Sequence, residues 1–112
     1  MSVYISNLVL HTGVDFEQIF ELTNDDNTPL NLTGYTISSQ IKKSRSSSSS
    51  VVFTCTFVNQ PTSGNVRIEL SSAQTTEIKP GIYQYDLILT SPQGIKTKAV
   101  EGEVFVKRSV TR

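Results

Sequence analysis

Between residues 65 and 70 apolar and polar side chains alternate strictly, with Val66, Ile68 and Leu70 against Asn65, Arg67 and Glu69. A repeat of two is that of a strand with one face buried and one face wet. Runs of this kind, each followed by turn-forming residues, recur along the chain at the spacing of a β-sandwich. Seven are expected: residues 3–9, 14–22, 35–43, 51–58, 65–70, 82–89 and 95–106. In the second, Phe16, Phe20 and Leu22 take one parity while Glu17 and Glu21 take the other; in the fourth, Phe53, Cys55 and Phe57 share a face. The predicted core is Phe16, Phe20, Ile37, Ile41, Phe53, Phe57, Val66, Ile68, Leu70, Tyr83, Tyr85, Leu87 and Val104. Together these features predict an all-β, immunoglobulin-like antiparallel sandwich of about seven strands, occupying residues 1–112 as one domain.

Turn chemistry separates the runs. Asn24-Asp25-Asp26-Asn27 makes a polar turn, because Asn and Asp tolerate left-handed backbone and bond their own main chain. Residues 44–50 hold six serines around Arg45, too polar to offset their ordering entropy by burial, and are expected to form a mobile loop. Residues 71–78 lack alternation; with Ser72 as N-cap they are expected to form one helical turn of a crossover before Pro80-Gly81.

With 112 residues the chain has room for a single core, and its ten basic residues balance ten acidic ones. That balance supplies no broad positive field, so neither nucleic acid nor an anionic membrane is an expected partner. Cys55 is the only cysteine, which excludes an internal disulfide and a multi-thiolate zinc site and fits folding in a reducing cytoplasm. The N-terminus has no signal-peptide pattern, and no apolar run approaches the ~20 residues of a spanning helix.

Each candidate for chemistry reads more simply as structure. Cys55 lies between Phe53 and Phe57 on the predicted core face, where its thiol would be inert, and His11 is the only imidazole that could activate it. Glu17 and Glu21 share the polar face of one strand, as do Glu101 and Glu103 of another; both pairs are expected in water. Asp86 is expected to pair with a cross-strand Lys or Arg, or to turn outward. Asp25, Asp26 and Asn27 lack the remaining ligands of a calcium loop. The glycines fall at strand ends and one bulge, with no nucleotide-binding spacing. No catalytic, cofactor-binding or metal-binding residue is therefore assigned, and the chain is expected not to be an enzyme and to need no cofactor.

Several motifs occur in a recognisable order: Asp15-Phe16, then residues 29–35 (PLNLTGY), then Gln40-Ile41-Lys42-Lys43. Residues 70–76 (LSSAQTT), 80–87 (PGIYQYDL) and 101–104 (EGEV) follow, with Val110-Thr111-Arg112 at the close. This order resembles the N-terminal domain of phage baseplate upper proteins over nearly the whole chain. The resemblance implies an immunoglobulin-like virion domain, which in that family precedes linker and receptor-binding or fibre-attaching segments. The chain stops where those segments would begin, so a capsid decoration (cement) protein stays open beside a tail or baseplate part.

The expected function is a non-enzymatic bacteriophage virion structural protein, made in the host cytoplasm and assembled with other virion proteins in a symmetric multi-copy array. The candidate interface joins the C-terminal Lys107, Arg108, Val110 and Arg112, three of them basic, to the acidic, solvent-facing Glu17 and Glu21 on a separate patch, since complementary charge orients docking. A carbohydrate-binding module that attaches the particle to a host-surface glycan is the alternative. It would use the aromatics Tyr4 and Phe105, which the core does not claim.

Overall fold

A computed structural model describes residues 4–24, 26–43 and 51–110, with Tyr4 described through its backbone alone; the serine-rich segment 44–50, expected to form a loop, lies outside them. Among the described residues nine strands form two sheets. They are β1 (Tyr4–Ile5), β2 (Leu8–His11), β3 (Phe16–Glu21), β4 (Thr36–Lys42), β5 (Val51–Val52), β6 (Thr54–Phe57), β7 (Asn65–Leu70), β8 (Gly81–Thr90) and β9 (Lys96–Lys107). The larger sheet runs β1-β9-β8-β4-β5, with β2 also beside β9, and the smaller runs β3-β7-β6. All seven expected runs are present; the first and fourth are each divided in two.

The sandwich is not wholly antiparallel, because β1 and β2 pair with β9 in parallel. Parallel neighbours need a long connection, and here the rest of the fold intervenes between the first strand and the last. Leu8 and Leu10 thereby reach the core beside Val104 and Val106. Of the predicted core, Phe20, Ile41, Phe53, Val66, Ile68, Leu70, Tyr85, Leu87 and Val104 are buried, while Phe16, Ile37, Phe57 and Tyr83 are partly buried against them. Leu32 and Ile78 are buried too, although both lie in connections where no periodicity marks them.

The fourth run divides because the chain changes sheets at Phe53, where β5 has paired with β4 and β6 goes on to pair with β7. Phe53 is 3% exposed, and its ring bridges the two layers. It lies 6.0 Å from Phe16 of the small sheet and 6.2 Å, edge to face, from Tyr85 of the large one. Such pairs add about 0.5–1.5 kcal/mol each beyond their burial.

The first run divides at residues 6–7, where the strand dips inward over Gly102. Ser6 N–H donates to the Glu101 carbonyl at 3.0 Å, Glu103 N–H donates to Asn7 Oδ1 at 3.0 Å, and the Tyr85 hydroxyl donates to the Ser6 carbonyl at 2.6 Å. A Cβ on Gly102 would overlap the Ser6 carbonyl oxygen, so the inward face of β9 must carry no side chain there.

The crossover helix α1 (Ser72–Thr76) is capped by Ser71, one residue before the position expected from sequence. Ser71 and Gln74 form a reciprocal capping box, which leaves Ser72 N–H to donate to Asp15 Oδ1 at 2.6 Å. Buried Thr75 accepts from Gly13 N–H at 3.1 Å and directs its own hydroxyl at the Val14 carbonyl, 2.9 Å away. The helix therefore clamps the turn between β2 and β3. Where β8 pairs with β9 the register shifts between Leu87 and Ile88 of β8, leaving Ala99 of β9 as an extra residue, so that Ala99 and Val100 are buried consecutively.

Gly102→Ala is expected to cost about 2 kcal/mol or more, because backbone rather than a flexible side chain blocks the added methyl, and urea unfolding measures it. Burial pushes the Tyr85 phenol from 10.0 up to about 12, partly opposed by its hydrogen bond to Ser6. Below pH 10 both the folded and unfolded chains keep this proton; as pH rises from 10 towards 12 the unfolded chain releases it first, and stability is lost. Tyr85→Phe should therefore be less stable than the parent at pH 7 by about 1 kcal/mol, with the gap closing above pH 10. A gap that stays constant with pH would contradict the assignment.

Candidate interaction face

Because Tyr83, Tyr85, Leu87 and Leu89 point inward, the intervening Ile82, Gln84, Asp86 and Ile88 of β8 face away from the small sheet. On β9, Glu101, Glu103, Phe105 and Lys107 face the same way, and on β2 so do Val9 and His11. Register then sets Val9 beside Phe105 and Phe105 beside Ile82, an apolar row running across three strands. Val9 is 46% exposed and Ile82 54%; Phe105 is partly covered but does not pack against the core. One outward position along β9 on either side of this row stand exposed Glu103 and exposed Lys107. Beyond Glu103 the face opens into a shallow groove of about 770 Å³, lined by Asn7, Lys42, Gln84, Asp86, Lys98 and Glu103 among others.

Asp86 pairs across the strands with Lys98 at 3.8 Å, and Lys98 also meets Glu101 at 3.8 Å. These groups are about a third or more exposed, so each pair is worth only a few tenths of a kcal/mol. They define the polarity of the groove more than they stabilise the fold.

The residues picked from the sequence as an interface fall on two different sheets. Lys107 ends β9 opposite His11, and Arg108 is exposed beyond it. Thr12 N–H donates to the Lys107 carbonyl at 2.9 Å and Ser109 N–H donates to Thr12 Oγ1 at 3.4 Å, which ties the chain down as far as Ser109. Val110 is fully exposed, and Arg112 lies outside the described residues. Glu17 and Glu21 are exposed on β3 of the small sheet, where Glu17 meets Arg67 at 3.7 Å. Lys107 thus adjoins the apolar row rather than the acidic pair. Glu103 is in water as its parity predicts, whereas Val9 and Ile82 were not foreseen as surface features, although Ile82 and Phe105 both sit on the outward parity of their strands. The Tyr4 side chain lies outside the described residues.

The candidates for chemistry are dispersed. Cys55 is half-buried on β6 opposite Ile68, whereas His11 is exposed on β2 in the other sheet, so they form no nucleophile–base pair. Desolvation pushes the Cys55 thiol above its usual value, against a smaller opposing effect of the Ser39 backbone. Asp26 is held below the usual carboxylate range by hydrogen bonds from the Thr28 hydroxyl at 2.6 Å and the Thr28 amide at 3.1 Å, so it serves its own turn; Asp25 lies outside the described residues. Among the described residues no three His, Cys, Asp or Glu side chains gather as a metal cluster, and no helix is long and apolar enough to cross a membrane.

Fold and face together describe a small β-sandwich module with a mixed apolar and charged surface on its larger sheet. The chain belongs to the LtfC-like β-sandwich domain family, a phage-related group whose family model matches residues 3–107. At that level the match agrees with the phage-type sandwich suggested by the sequence motifs. No curated protein matches the chain. Among solved structures it is similar to an internalin-like protein of Listeria monocytogenes, at 12% identity and a TM-score of 0.49, covering 96% of this chain and 28% of that one. The chain thus spans under a third of that solved chain's length.

Cys55 is expected to react only slowly with a thiol reagent near neutral pH, with the rate rising at least tenfold on unfolding in urea, because the thiolate is disfavoured inside the sheet. Equal rates in the folded and unfolded protein would contradict this.

Proposed function

We propose that this chain is a non-enzymatic structural protein of a bacteriophage virion, working by protein–protein contact in the tail or baseplate. The observation that carries the proposal is membership of a phage-related sandwich family over residues 3–107 in a chain whose larger sheet presents the Val9–Phe105–Ile82 row to solvent. An exposed apolar row rimmed by charge is the composition of a protein docking surface. Of the groups that could do chemistry, Cys55 is partly buried in the small sheet, and Asp86 and Glu101 share Lys98. Phe105 is flanked across the strands by aliphatic side chains rather than by hydrogen-bonding ones, which favours a protein partner over a host-surface glycan.

On this reading the protein is made in the host cytoplasm, is carried in the particle in several copies fixed by its symmetry, and binds other virion proteins without cofactor, nucleic acid or membrane. Quantitative mass spectrometry of purified virions is expected to find the chain at a stoichiometry set by particle symmetry. Antibody labelling in electron micrographs should mark the tail or baseplate. Label on the head would favour capsid decoration, and absence from purified particles would overturn the proposal.

A further inference from the structure

The outward side of β9 carries, at successive outward positions, an acid, an aromatic and a base: Glu103, Phe105 and Lys107. Consider a two-fold axis lying in the plane of contact along the Val9–Phe105–Ile82 row. Rotation about it sets the row of one copy on the row of another and reverses strand direction, so Lys107 of each copy lies over Glu103 of the other. The same operation reproduces both charge pairs, as an isologous contact requires. The apolar row is buried on itself and no like charges from these positions meet. We infer that this face pairs with a second copy of the same chain, giving a symmetric dimer held by the apolar row and two Glu103–Lys107 pairs. The occupant follows from charge complementarity, since a face of a single sign would repel its own copy.

Strand spacing and rise give the exposed face a projected area of roughly 20 Å by 25 Å, at the small end for a specific contact, so the dimer is expected to be weak, with Kd in the micromolar range or above. The inference deepens the reading of this face as an interaction surface, and the two fail separately: a solution monomer removes the pairing, whereas absence from particles removes the virion role.

Sedimentation equilibrium of the full chain from about 10 μM to about 1 mM decides it, that range bracketing the affinities expected of a small interface. The wild type should pass from monomer to dimer, and Phe105→Glu should remain monomeric with its circular dichroism and melting unchanged. Glu103→Lys and Lys107→Glu should each weaken the dimer by roughly three- to thirtyfold, as two exposed pairs are lost at once. The double variant, which restores opposite charges across the axis, should recover most of that loss. An equimolar mixture of the two single variants should form a heterodimer more readily than either forms a homodimer. A wild type that stays monomeric throughout the range overturns the inference. So does a double variant no better than the single ones, because the charges would then not meet across a two-fold axis.

Discussion

Much of the structure depends on the two engagements of Tyr85. Its ring stands edge to face on Phe53, the residue at which the chain passes from one sheet to the other, and its hydroxyl holds the Ser6 carbonyl of the edge strand. The first contact ties the layers together through Phe16. The second satisfies a carbonyl that the break between β1 and β2 turns into the interior, where an unpaired acceptor would cost about 1–3 kcal/mol. Gly102 provides the space for that carbonyl. One side chain thus couples the sheet-to-sheet crossing to the docking of the first strand.

The attachment of the first strand also determines what the protein shows to its surroundings. Since β2 lies beside β9 in parallel, Val9 comes level with Phe105, and the Phe105–Ile82 pair becomes a row of three. From Val100 onward plain alternation keeps Val100, Val104 and Val106 inward and Glu103, Phe105 and Lys107 outward, while the extra residue at Ala99 sets Lys98 beside outward-facing Ile88. Core packing and the surface pattern are two faces of one register.

Several of the motifs that suggested a phage-type domain are structural clamps. Asp15 accepts from Ser72 N–H, Thr75 holds the Gly13-Val14 turn, and Asn31 Oδ1 accepts from Thr33 N–H at 3.0 Å to shape the turn around fully buried Leu32. A resemblance carried by such positions reports on fold, which is the level at which the LtfC-like family match agrees with it.

Alternation by itself was enough to determine the strands, the inward parity of Phe20, Ile68 and Leu87, and the packing role of Cys55, because a period of two leaves a half-buried strand no other arrangement. It also sufficed to put Glu17, Glu21 and Glu103 in water. Tertiary structure decided what local pattern does not encode. The parallel docking of β1 and β2 joins residues nearly a hundred positions apart, and the sheet change at Phe53 falls within a run that alternates without interruption. Leu32 and Ile78 are buried by the elements around them, and the Val9–Phe105–Ile82 row exists only once three distant strands stand in register. The physical reason is the same throughout: periodicity fixes which side of a strand faces inward, while the neighbour along that strand's edge is chosen by long-range packing and by the hydrogen bonds of its carbonyls.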